Sequence, residues 1–215
     1  MASTEDRAES AGNRAWTVTE ANGEQDIFCL SRWWHHWFGA IHDYSEPRIG
    51  TQLAQCLGWC EEMEAAGAFI ASHERLRVGG AITSVYDRAD ARDELPDGRF
   101  EADPLVGERN GWVNLIVVDP AWQARGIGSA LFERQLSWLA DQDVDMVFGY
   151  GWERAGRSSR PLFEEGGFVP IQRFDYAGQS KREACPDCGV WPSDDRECQC
   201  EYTLWAREGG GSDGE

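Results

Sequence analysis

The chain has 215 residues, with 38 acidic side chains against 20 basic ones, a formal net charge of −18 and a pI near 4.5. That balance disfavours nucleic-acid binding, because no basic stripe exists to neutralise phosphates. No run reaches the roughly 18 apolar residues of a membrane span. The polar, acidic N-terminus does not read as a signal peptide, so a cytoplasmic protein with no membrane contact is expected.

Residues 1–14 are polar and rich in Ala, Glu and Ser, and 209–215 are a Gly/Asp tail; both are expected to be disordered. Residues 15–208 are then one folded domain. Within it, residues 16–19 read as a first strand. Residues 27–41 and 52–66 read as two helices. The first contains Trp33-Trp34-His35-His36-Trp37-Phe38, an aromatic run that suits either core packing or the binding of an apolar or aromatic ligand. Cys56 and Cys60 share a face of the second, either as core cysteines or as a metal pair with His35 or His36. Residues 68–71 and 77–85 read as a hairpin, and 86–110 as a long polar connection. An apolar strand over 113–118 follows, stopped by Asp119-Pro120. After a glycine turn comes a helix over 129–140, with Leu131, Phe132, Leu136, Trp138 and Leu139 on one stripe and Glu133, Arg134 and Ser137 facing out. Residues 145–150, 168–174 and 202–205 read as further strands.

The strand, glycine turn and helix start around Gln123-Ala124-Arg125-Gly126-Ile127-Gly128 form a phosphate site. The turn lets backbone N–H groups approach an anion, and the helix start adds unpaired donors and the positive end of its dipole. A dinucleotide fingerprint needs a third glycine where Leu131 stands, and the Gly-Lys-Ser/Thr of a P-loop is absent. What remains, Gln123-x-x-Gly126-x-Gly128 after Val118-Asp119-Pro120, resembles the acetyl-CoA pyrophosphate motif of the GNAT N-acetyltransferase superfamily. Pro161-Leu162-Phe163-Glu164-Glu165-Gly166-Gly167-Phe168 resembles that family's second signature, Leu-Tyr-Glu-Lys-x-Gly-Phe.

The resemblance implies an α+β fold, a mixed and mostly antiparallel central sheet flanked by helices. It implies transfer of acetyl from acetyl-CoA to an amine, on a small molecule or on a protein. The pantetheine arm would pair with Ile116, Val117 and Val118. The pyrophosphate would lie on Gln123, Ala124, Arg125, Gly126, Ile127, Gly128 and Ser129. Phe163 would pack on the cofactor, but it stands where the family carries the Tyr that protonates the leaving thiolate. Tyr150, Ser158 and Ser159 are alternative donors. Glu108, Asn114, His35, His36 and His73 are available as bases, with none singled out. The missing Tyr keeps open a second class, a non-catalytic acyl-CoA-binding or partner-docking module. A homodimer is carried as one expected assembly.

Cys185-Pro186-Asp187-Cys188-Gly189 and Cys198-Gln199-Cys200 have the spacing of a zinc knuckle. Two such pairs can close a tetrahedral four-thiolate site with no open position, hence a structural zinc. Two disulfides, or loop cysteines with no shared role, are the other readings. The segment 181–201 falls between the last two strands as an insert. Acid is spread along the whole chain, and one lysine, Lys181, stands among nineteen arginines. This pattern points to a high-salt setting, where self-repulsion is screened, or to attraction of cationic substrates.

Overall fold

The computed structural model describes residues 15–38, 65–93, 95, 105–154, 157–175, 198 and 200–210. In chain order these form β1 (Thr17–Glu20), α1 (Glu24–Phe38), β2 (Ala65–His73), β3 (Leu76–Asp87), α2 (Arg88–Asp93) and β4 (Arg109–Val118). A 3₁₀ turn (Pro120–Trp122) leads to α3 (Ile127–Ala140), β5 (Met146–Arg154), β6 (Arg157–Ser158), α4 (Arg160–Glu165), β7 (Val169–Asp175) and β8 (Glu201–Glu208). The sheet order is β1-β2-β3-β4-β5-β8-β7, with β6 beside the end of β5. Among the described strands only β4 and β5 are parallel. This is the expected α+β class.

Burial explains the layering. On one face α3 seats Ile127 and Leu131 against Phe69, Ala71, Val78 and Ala81, and Phe132 and Leu139 against Val85, Val113, Val147 and Trp205. On the other, Leu30 of α1 packs on Ala68, Ile70, Ile82, Leu115 and Val117, and Ala91 of α2 packs near Trp112, Phe148 and Tyr202. Each apolar set alternates along its strand, as a sheet covered on both faces requires.

Several boundaries differ from the sequence reading for physical reasons. β4 begins at Arg109, inside the stretch read as a connection, because Asn110 satisfies its own polarity. Its Oδ1 accepts from Gly107 N at 2.9 Å and its Nδ2 donates to Gly107 O at 3.0 Å, so the residue is fully buried. The same stretch holds α2. Ala65 and Ala66 are strand, not helix end, since both pair with β3, opposite Val85 and Ser84. Helix α3 starts two residues early, at Ile127, straight after the left-handed Gly126. The Cys56/Cys60 helix lies outside the described residues, as do the side chains of His35 and His36 and most of the insert.

Gln135 is the polar residue that the stripe reading missed. It is fully buried, and its Nε2 donates to Ile82 O at 2.6 Å and to Leu115 O at 3.3 Å. Both carbonyls flank a register shift in the β3–β4 ladder, where Ile82 faces Leu115 and Thr83 faces Val113. Asn114 is thus an extra residue, a β-bulge. Gln135 thus bonds to one carbonyl of each strand at the bulge. Gln135→Leu should lower stability by about 1–3 kcal/mol, the cost of unsatisfied buried polar groups. Urea unfolding checks this, and an unchanged midpoint would count against it.

Candidate functional site

The site is built where two strands part. β4 and β5 pair only over residues 110–113 and 146–149. Beyond Val113 and Gly149, β4 runs on to Val118 along β3, and β5 runs on to Arg154 along β8. Past these rungs the strands part into a fork: the edge of 114–118 has no β5 partner, while on β5 that edge is taken up by Ser159 at Trp152 and by β6 at Glu153 and Arg154. A strand edge inside a sheet presents N–H and C=O groups that a chain of amides can pair with.

The glycine loop sits at the open end of β4. Asp119 Oδ1 accepts from Ala121 N at 2.9 Å and caps the 3₁₀ turn. Gln123 Nε2 donates to Val118 O at 3.0 Å, tying the turn back to the strand. Ala124 and Gly126 take left-handed conformations, φ 58° and 77°, which reverse the chain into α3. Such φ values come without steric cost only to glycine, so Gly126 fits its place and Ala124 is strained. No side chain caps α3. The N–H groups of Ile127, Gly128 and Ser129 lack helical acceptors by geometry, and they carry the positive end of the dipole. A Cβ at Gly128 would meet only Val118 Cγ2, at 3.9 Å, so the space above it is open. Arg125 lies over the Trp122 ring at 4.7 Å and donates to Ala121 O at 3.3 Å, which holds its charge beside this helix start.

The remaining candidates scatter. Glu108 lies six residues upstream of Asn114, about 20 Å at ~3.3 Å per strand residue, and pairs with Arg88 at 3.0 Å in an exposed position. His73 closes the β2–β3 hairpin and stacks on Trp122 with ring centroids 4.6 Å apart, next to the glycine loop and away from the closed end of the fork. Its Nδ1 contacts Ala15 O. Ser158 Oγ accepts from Arg160 N at 3.0 Å. Ser159 Oγ is occupied by the Trp152 backbone, accepting from N at 2.6 Å and donating to O at 3.1 Å. Tyr150 stands at the fork as the first β5 residue past the paired region, half-buried against Trp112 (5.8 Å) and Tyr202 (5.5 Å).

Phe163 lies under the fork. Its ring is 4% exposed, stacked on Trp205 at 5.5 Å and 12°, and edge-on to Phe132 and Phe168. A side chain at Gly149 would collide with it, since a Cβ there would lie 2.9 Å from Phe163 Cε1, and one at Gly151 would collide with Trp205 Nε1, at 2.6 Å. Cys198 and Cys200 lie at the start of β8 against Trp152, with Cys200 buried. Cys185 and Cys188 fall outside the described residues.

Among the candidate bases, Asn114 alone is the extra residue of the β4 bulge. The bulge sets it apart, and a one-residue register shift leaves no mark in a single sequence.

Comparison with known proteins agrees with this geometry. The family model described as the acetyltransferase (GNAT) family matches residues 29–168. No curated protein matches by sequence. Among solved structures, the fold is similar to that of a mosquito arylalkylamine N-acetyltransferase like 5b, at 11% identity and TM-score 0.58, covering 90% of this chain and 99% of that one. It is similar to an agmatine N-acetyltransferase at 15% identity and TM-score 0.58, covering 91% and 100%. It is also similar to a GNAT family acetyltransferase from Elizabethkingia anophelis with acetyl-CoA bound, at 15% identity and TM-score 0.53, covering 91% and 99%. The family match spans well over half of the chain and includes the fork and the glycine loop, so the chain belongs to the GNAT family of acetyltransferases.

Proposed function

We propose that the fork and the glycine loop together carry acetyl transfer from acetyl-CoA to an amine. The observation behind this is the uncapped start of α3, open above Gly128, at the end of a strand whose edge has parted from its neighbour. The pyrophosphate lies on the N–H groups from Gln123 to Ser129, with Arg125 adding charge. The pantetheine amides pair with the edge of Ile116, Val117 and Val118. A backbone N–H of that edge polarises the thioester carbonyl. The amine nitrogen bonds to the carbonyl carbon, the C–S bond breaks, the thiolate leaves with the electron pair, and the nitrogen loses one proton. Tyr150 is the donor candidate that stands at the fork.

Acetyl-CoA should raise the melting temperature, and free thiol should appear when an amine panel is added. The spread acidity supports a saline working medium, because salt shortens the range of self-repulsion. The assay therefore runs from about 0.1 M to about 1 M salt, where the Debye length falls from ~10 to ~3 Å. Thiol release that never exceeds the amine-free rate would sink the transferase reading.

The insert is proposed to hold one structural zinc through Cys185, Cys188, Cys198 and Cys200. The donor set supports it, since four thiolates satisfy a tetrahedral ion and leave no open position. Two of the four lie at the start of β8, beside Trp152 of β5. Protein purified without chelator should contain about one zinc per chain, and a chelator should lower its melting temperature, because metal binding is coupled to folding. Substoichiometric zinc together with an unchanged melting temperature would refute the site.

A further inference from the structure

We propose that Trp122 is a positioning residue for the cofactor's phosphates: its ring holds the Arg125 guanidinium at the start of α3, so that an anion meets a charge already in place. The proposal rests on the acetyl-CoA reading of the glycine loop above. A chain of net charge −18 repels anionic ligands in general, so binding one depends on positive charge fixed at the site. Arg125 is such a charge. Arg77, Arg88, Arg134, Arg160 and Arg173 each hold a carboxylate. Arg125 is exposed and holds none among the described residues; its guanidinium lies 4.7 Å from the centroid of the Trp122 ring and donates to Ala121 O at 3.3 Å. Neither contact neutralises it.

The ring is itself held by three contacts. Its backbone belongs to the 3₁₀ turn, where Trp122 N donates to Asp119 O at 2.8 Å. Its side chain packs on the core cluster that includes Val78 of β3 and Ile127, the first residue of α3. His73, at the end of β2, stacks on it with ring centroids 4.6 Å apart, and His73 Nδ1 donates to Ala15 O, just before β1. The guanidinium is thereby tied through one ring to the sheet and to the helix start. An arginine carries large rotamer entropy, and one on a bare loop loses that freedom only when an anion binds. An arginine laid on a fixed ring has lost part of it beforehand, which is preorganisation. Tryptophan gives a cation the best aromatic face.

The test is calorimetric titration of the full chain with acetyl-CoA. The wild type is measured first, and absence of binding by it overturns the acetyl-CoA reading itself. Given binding, Trp122→Leu should raise the Kd about threefold to tenfold, the loss of a cation–π contact and of the order it imposes. Arg125→Leu should raise it at least as much. The double variant should bind within about twofold of Arg125→Leu, because Trp122 acts through Arg125. Trp122→Leu removes no charge. Its fold-loss should nevertheless shrink between about 0.1 M and about 1 M salt, as that of Arg125→Leu does, since salt screens the arginine–phosphate attraction that the ring organises. A ring that only supported the loop would give a loss indifferent to salt and additive with Arg125→Leu. Trp122→Phe keeps an aromatic ring in the core and should lose about twofold to threefold; it replaces Trp122→Leu in the cycle if the leucine variant does not fold. An unchanged Kd in the folded Trp122 variant overturns the proposal. So does a double variant whose losses multiply, or a Trp122 loss that is the same at both salt concentrations.

Discussion

Gly128→Glu should leave the protein folded and abolish its binding of acetyl-CoA. Position 128 is the second residue of α3, its φ lies outside the left-handed region, and an added Cβ meets nothing closer than 3.9 Å. The fold therefore tolerates a side chain there. A glutamate in the first turn also interacts favourably with the helix dipole, by about 0.3–1 kcal/mol. Replacing glycine inside a helix gains roughly 0.5–1 kcal/mol more. The melting temperature should hold or rise slightly. The same carboxylate occupies the open space above the N–H groups of Ile127, Gly128 and Ser129, where the pyrophosphate would lie. Steric exclusion and like-charge juxtaposition, worth several kcal/mol, should weaken acetyl-CoA by at least ~100-fold, at about 1.4 kcal/mol per factor of ten. Calorimetric titration separates the two effects. A folded variant that binds acetyl-CoA as the parent does would falsify the assignment of the pyrophosphate to this loop.

Local features were legible in the sequence, and pairwise ones were not. Gly126-x-Gly128 could be read because a left-handed turn and an open helix start leave their mark on residue identity at single positions. The parallel strand after α3 and the hairpin before β4 could be read because their apolar runs are continuous. The first third of β4 was hidden because Arg109-Asn110-Gly111 looks like loop, and only the reciprocal bonds between Asn110 and Gly107 make Asn110 a core residue. Gln135 looks like an outward-facing helix position, since its two carbonyl partners lie 53 and 20 residues away in sequence. The bulge is of the same kind. Nothing in Val113-Asn114-Leu115 says that one residue is unpaired until β3 is laid beside it. In the sequence, Glu108 and Asn114, which flank or occupy the same strand, are equivalent as candidate bases. Their placement at opposite ends of the β4–β5 pairing is a matter of register, and register is fixed only in the folded sheet.

Phe163 shows how far a missing catalytic residue can be reinterpreted by its surroundings. The family resemblance expects a Tyr there as proton donor, whereas the structure surrounds the Phe ring with Trp205, Phe132 and Phe168 and closes it beneath Gly149 and Gly151. Phe163→Ala should destabilise the chain by about 3–5 kcal/mol, the transfer and cavity cost of a fully buried aromatic. At roughly 2–4 °C per kcal/mol for a chain of this size, the melting temperature should fall by about 6–20 °C. A fall of under about 2 °C would mean that the ring does not hold α4 to the sheet. Phe163→Tyr isolates the chemistry, because it keeps the packing and adds one hydroxyl at Cζ, an atom 3.1 Å from where a Cβ on Gly149 would stand. That direction points at the last rung of the β4–β5 ladder. A buried hydroxyl without a partner costs about 1–3 kcal/mol, so some stability should be lost. Thiol release should change by less than about tenfold, since a chain that turns over without this Tyr already has another route for the proton. A positioned general acid typically contributes ~10²–10⁴ in rate. A gain of that size in Phe163→Tyr would show that this ring faces the departing thiolate, and that the parent releases it to water with no protein donor.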